Sequence, residues 1–198
     1  MMDTRVKGEG SLWPWVAAGV VLALALGVGA YFYFRETRPL PPPAETTSFG
    51  PMTSYKGPTL AVTLYFPTRD GNNLTPEVRD VRELPDKPGQ VREVVSELIR
   101  GPVTELTPSF PAGTRVKGVF IDDKGTAYID FSRELQTEYP GGAWTETLTI
   151  YSLTNTLAGA FPEIKRVQIL IEGSAVETLA GHIDTSRPFE PRPALNKG

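Results

Sequence analysis

The stretch from Thr126 to Gly173 constrains the fold of this 198-residue chain more than any other. Ala127, Ile129 and Phe131 alternate with Tyr128, Asp130 and Ser132, the period of a strand with one buried face. Gly141-Gly142 then opens a helix that Phe161-Pro162 closes, and Val167, Ile169 and Ile171 alternate again before the Glu172-Gly173 turn. Two strands tied by a helix form a crossover unit. The pattern therefore predicts parallel neighbouring strands with the helix laid across one face of their sheet.

At about 100° per residue, Ala143, Ile150, Leu153, Thr154, Leu157, Ala158 and Phe161 share the side of that helix expected to cover the sheet. Thr145, Thr149, Ser152 and Thr156 share the opposite side, a polar stripe without a charge. Solvated helix faces are usually rich in Lys and Glu, so the stripe admits two readings. Short polar side chains are tolerated there, or the face meets a partner, because small uncharged groups lose little entropy and need little desolvation on docking. These four residues are the candidate interaction face, for another envelope protein or for a second copy of the chain. On either reading the face should accept Thr149→Lys with Ser152→Glu while the domain stays folded.

Upstream, Leu60, Val62, Leu64 and Phe66 alternate as a first strand, and Asp70-Gly71-Asn72-Asn73 is a turn. Glu77 to Leu84 is expected to return as a polar edge strand. From Pro88, the spacing of Val91, Val94, Val95, Leu98 and Ile99 predicts a helix that Gly101-Pro102 stops. Thr114–Ile121 and, after Gly173-Ser174, Glu177–Ile183 are the remaining predicted strands. Strands with two helices suggest an α+β domain, a mixed sheet with both helices packed on one face.

The rest of the chain divides by composition. Residues 1–11 are a short polar tail, and no charge occurs from Leu12 to Phe34. Such a run is long enough to span about 30 Å of hydrocarbon as a helix. Trp13 and Trp15 at one end and Tyr31 to Phe34 at the other resemble interfacial belts, so residues 12–34 are expected to be a transmembrane anchor. A cleaved signal peptide ending near Val28-Gly29-Ala30 is the competing reading. Arg5 and Lys7 before the span balance Arg35 and Arg38 after it, and the free amine tips the orientation towards a cytoplasmic N-terminus. Residues 35–58 are a proline-rich spacer, 59–188 the globular domain outside the cytoplasm, and 189–198 an irregular tail.

A net charge of −3 without a long basic run argues against nucleic acid as a partner. The absence of cysteine excludes disulfides, thiol nucleophiles, cysteine-ligated zinc and a lipid-modified cysteine anchor. Asp130, Ser132 and the single histidine, His182, offer the residue types of a hydrolytic triad, but no G-x-S-x-G elbow surrounds Ser132. Asp122-Asp123 precedes Lys124-Gly125 and reads as a hairpin turn rather than a calcium site. Glu146, in the first turn of the second helix and on its apolar side, is expected to be partly covered and to meet free backbone N–H groups. Tyr139 and Trp144 could form an aromatic edge for a glycan or peptide. No cofactor or metal is expected.

Several short motifs, in order, resemble one known family. They are Leu64-Tyr65-Phe66, Leu98-Ile99-Arg100-Gly101-Pro102, and Tyr128-Ile129-Asp130-Phe131-Ser132 with Glu134-Leu135. Gly142 with Glu146, Asn155-Thr156-Leu157, Val167 to Gly173 and Gly181-His182-Ile183-Asp184 follow. From Thr59 to Pro188 the chain resembles the GerMN domain, the sporulation and spore-germination family of bacterial envelope proteins. The resemblance implies an extracytoplasmic domain without known catalysis, similar to ring-building modules, and structural roles for Asp130, Phe131, Ser132, Glu146, Asn155, Gly173 and His182. The expected function is a non-catalytic, membrane-tethered interaction domain on the bacterial cytoplasmic membrane. A binder of cell-wall glycan or of a small extracytoplasmic ligand is the alternative, and a hydrolase the third reading.

Overall fold

The computed structural model describes residues 57–197. The expected anchor at 12–34, and all but the end of the proline-rich spacer, lie outside the described residues. Among the described residues no helix is long and apolar enough to cross a membrane.

Strand β1 (Thr59–Pro67) and strand β2 (Leu74–Arg82) form an antiparallel hairpin. Val62, Leu64 and Phe66 of β1 are buried together with Val81 of β2. Helix α1 (Lys87–Arg100) follows, with the Asp86 carboxylate accepting from the Gly89 N–H at 2.7 Å and Pro88 in the first turn. Gly101 ends it at φ 91°, a backbone region that side chains with a Cβ rarely adopt. Val91, Val94, Val95 and Leu98 are buried, as their spacing predicts.

Strands β3 (Val116–Ile121), β4 (Thr126–Phe131), β5 (Arg166–Ile171) and β6 (Ser174–Ala175) make a mixed sheet in the order β3-β4-β5-β6. The β4–β5 pair is parallel and in register from Thr126 and Arg166 to Phe131 and Ile171, so the crossover unit folds as its pattern predicts. Between these strands lie a single helical turn, α2 (Glu134–Thr137), which periodicity does not reveal, and the long helix α3 (Ala143–Ala160).

Three expectations are corrected. The strands form two sheets, a hairpin and a four-stranded sheet, rather than one. Helix α3 is not laid against a single face: it touches β5 on one side and β1 on another, and the residues from Leu148 to Leu157 are buried apart from the half-buried Tyr151. Glu177–Ile183 is a run of bends rather than a strand, because several of its N–H groups go to the Glu146 side chain instead of a ladder. The tail is irregular but not detached. Phe189 bridges Val167, Asn196 bridges Leu74, and Leu195 on a 3-10 turn packs with Leu74 and Leu148.

Candidate functional site

The four residues of the stripe part company in the structure. Thr145 is exposed, whereas Thr149, Ser152 and Thr156 are fully buried, so the candidate interaction face is corrected: it is an internal seam. The cause is the flank of β1. In the hairpin Tyr65 lies opposite Pro76, and the Tyr65 backbone groups point away from β2. Its N–H donates to Thr156 Oγ1 (3.0 Å) and its carbonyl accepts from Ser152 Oγ (2.5 Å). Ser152 Oγ also meets Ser109 Oγ at 2.7 Å, and Thr149 Oγ1 donates to the Ser109 carbonyl at 2.7 Å. A strand flank without a partner strand leaves polar groups that must be satisfied. Helix α3 supplies hydroxyls at a spacing of three to four residues in place of that strand. Only short side chains permit the approach, and a charge there would be stranded without water.

Tyr139 extends the seam, its phenol 2.7 Å from Thr149 Oγ1. Burial pushes the Tyr139 hydroxyl up to about 12, Thr149 opposes the shift, and the nearby Glu146 charge adds to it. Trp144 is half exposed, but its indole N–H donates to the Gly71 carbonyl at 2.6 Å. Tyr139 is thus turned to a side-chain hydroxyl and Trp144 to a backbone carbonyl, and their polar groups do not form one aromatic edge.

Glu146 is 0% exposed, and its carboxylate gathers the loop that sequence reads as a strand. Oε1 accepts from the N–H groups of Leu179 (2.9 Å) and Ala180 (3.2 Å), and Oε2 accepts from that of His182 (3.2 Å). The His182 ring, 44% exposed, brings Nδ1 to 3.4 Å from Oε2. The expected N–H partners in the first turn of the helix are corrected: those that Glu146 meets belong to residues 179–182.

The other family positions also hold backbone. Asp130 Oδ1 accepts from the Gly173 N–H at 2.7 Å, closing the β5–β6 turn, where Glu172 (φ 51°) and Gly173 (φ 81°) are both left-handed. Ser132 Oγ accepts from the Arg115 N–H at 3.0 Å. Phe131 is buried and stacks on Phe110 with ring centroids 5.6 Å apart. Asn155 clasps the tail, accepting from the Arg192 N–H (2.7 Å) and donating to the Arg192 carbonyl (3.1 Å) and Asn196 Oδ1 (2.7 Å). Asp130, Ser132 and His182 make no hydrogen bonds to one another, so the arrangement of a triad is not assembled. Asp122 caps its own turn through the Lys124 and Thr126 N–H groups, and the Thr126 bond leads the causes that hold its carboxyl below the usual range. Among the described residues no three His, Cys, Asp or Glu side chains converge as metal ligands.

Sequence reasoning missed one charged cluster. The Glu77 carboxylate accepts from the N–H groups of Val103 and Thr104, from the Thr104 hydroxyl and from Arg79. Burial alone would raise the Glu77 carboxyl, but the Thr104 hydroxyl, the Val103 N–H and Arg79 together lower it. Arg79 also donates to the Glu97 carboxylate and to the Gly101 carbonyl, capping the end of α1. The available signal was that Glu77, Arg79 and the core residue Val81 share one face of β2.

Shallow clefts occur among the described residues. One of about 100 Å3 is lined by Pro108, Phe110, Pro111, Tyr139, Pro140 and Thr145. Another, about 200 Å3, lies among Leu60, Leu84, Pro85, Lys87, Ala160 and Phe161. Both are smaller than the roughly 300–1,000 Å3 typical of small-ligand sites.

The arrangement defines an α+β module whose buried carboxylate, amide and hydroxyls hold loops and strand flanks. The family described as Germane, sporulation and spore germination, matches residues 63–177, and the chain belongs to it. The first GerMN domain of the sporulation protein GerM from Bacillus subtilis is 26% identical (TM-score 0.52), covering 68% of this chain and 98% of that one. The tandem GerMN domains of the same protein are 23% identical (TM-score 0.55) and share the fold, with 67% of this chain and 46% of that one covered. A lipoprotein from Clostridium perfringens is 27% identical (TM-score 0.49), with coverages of 67% and 87%. No curated protein matches the chain.

Proposed function

We propose that this chain is a non-catalytic interaction module of the bacterial envelope that serves sporulation or spore germination. Its domain would stand outside the cytoplasm, tethered to the cytoplasmic membrane by the apolar segment at 12–34, with other envelope proteins or further copies of itself as partners. One observation carries the reading: the buried Glu146 carboxylate is filled by three N–H groups of the loop at residues 179–182, as expected of a residue that shapes a surface. The family's description and the likeness to a GerMN domain of a sporulation protein support the assignment of process.

Two measurements test it. Protease added to intact spheroplasts should digest the domain from Thr59 onward, and protection would place it on the cytoplasmic side. His182→Ala should complement a deletion strain fully, because the exposed ring only supplements the N–H groups that hold Glu146. A folded His182→Ala chain that lost a turnover seen in wild type would establish an enzyme instead.

A further inference from the structure

The outer flank of β3 lies away from β4. The Asp122 N–H donates to the Thr126 carbonyl. By the alternation of an antiparallel ladder, Gly118 and Phe120 therefore turn their backbone groups towards β4, while Val119 and Ile121 turn theirs away from it. Arg92 covers the beginning of this flank, donating to the carbonyls of Val116 (2.8 Å) and Lys117 (3.3 Å). Beyond that guard, the backbone from Gly118 to Ile121 has no hydrogen-bond partner outside its own sheet among the described residues. At its centre Phe120 is 62% exposed, with its ring 5.9 Å from that of Tyr128 on the sheet's outer face. The outer flank of β2 is protected differently: Pro76 offers no donor, and the tail bridges Leu74.

We propose that β3 pairs antiparallel with β3 of a second copy of this chain, about a two-fold axis at Phe120. The proposal rests on the interaction-module reading and names its partner and surface. In this register Val119 of each copy exchanges hydrogen bonds with Ile121 of the other, the two residues whose backbone groups point outward. Phe120 then faces Phe120 in a non-hydrogen-bonded pair, where side chains are closest. The register also brings Lys117 of one copy, which pairs with Glu172 of its own chain, near the exposed Asp123 of the other. The strand is thus self-complementary in backbone and apolar side chain, as a closed two-fold interface requires.

The chain contains no cysteine, so one introduced thiol reports its neighbour without background. Full-length Phe120→Cys in native membranes should form a disulfide-linked dimer under mild oxidation, because facing Cα atoms about 4.5 Å apart lie within disulfide reach. Val78→Cys, equally exposed on β2, should not. Full-length wild type in detergent should sediment with twice the protein mass of the Phe120→Lys variant. Equal cross-linking at both thiols, an adduct of another protein at position 120, or a dimer that survives Phe120→Lys would each overturn the proposal. If the spheroplast and complementation results hold while these fail, only the surface and partner are wrong.

Discussion

Strands β1 and β3 each have a flank that no strand among the described residues pairs with, and the two flanks are treated in opposite ways. Along β1, helix α3 presents Ser152 and Thr156 to the Tyr65 backbone, while Thr149 and Ser109 continue the seam into the neighbouring loop. Along β3, one arginine covers two carbonyls and the remainder carries an exposed phenylalanine. An uncharged Thr/Ser stripe on a helix is therefore a signature of contact with backbone. The surface suited to a partner is the one whose polar groups the chain leaves uncovered.

The sharpest way to break this contrast is to charge the seam. Thr149→Lys with Ser152→Glu should cost at least about 4 kcal/mol, because two ionised groups would be buried in place of hydroxyls that satisfy backbone. That is a large part of the 5–15 kcal/mol typical of a whole domain. Urea unfolding of the purified chain reads the loss, and an unchanged midpoint would restore the exposed face. Next in size is Glu146→Gln. The amide would place an NH2 group against N–H donors, at a cost of about 2–3 kcal/mol. Hydrogen exchange should quicken at residues 179–182 before the rest of the domain responds, and uniform protection there would show that the loop holds itself.

The seam also has a pH signature. The Tyr139 hydroxyl is raised from 10.0 to about 12 in the folded chain, so the folded state binds that proton more tightly than the unfolded state does. Its contribution is fully present below the unfolded value and is lost as pH rises through the folded one. Stability should fall by about 1 kcal/mol per pH unit in that alkaline window, and Tyr139→Phe should flatten the slope. Identical slopes in the two proteins would exclude the phenol. Smallest of all is Phe120→Thr, which should change stability by less than about 0.5 kcal/mol, because the ring is mostly in water. A larger loss would mean that the ring belongs to the core.

The crossover unit was legible because burial on alternate faces is written into residue order: Ala127, Ile129 and Phe131 answer Val167, Ile169 and Ile171 across a parallel pair. The first helix was legible for the same reason, with Gly101 and Pro102 as its stop. The second helix was placed correctly along the chain and wrongly around its axis. A wheel gives the angle between side chains but not what stands beyond them, and β1, far away in sequence, stands on the far side of α3. The absence of charge from Thr147 to Pro162 was the usable clue, since a helix buried all round has no wet face to decorate. The segment Glu177–Ile183 misled for a related reason. Its mixture of apolar and polar residues fits a strand, while the carboxylate that collects its N–H groups is 31 residues upstream of Glu177, counting from Glu146. Of the site residues, Asp130, Ser132, Glu146 and Asn155 were identifiable as positions, but their partners were not. Each partner depends on which loops the fold brings beside them.

The placement of β1 has a mechanical consequence. Among the described strands it is the one the chain enters first; β2 pairs with it on one side from Thr59 to Pro67, and the hydroxyls of α3 hold the Tyr65 backbone on the other. A pull applied upstream of Thr59 runs lengthwise down this strand, across hydrogen bonds lying perpendicular to it. Those bonds must slide and yield together rather than open one after another. Whatever tugs on the chain from its N-terminal side meets the domain along its stiffest axis.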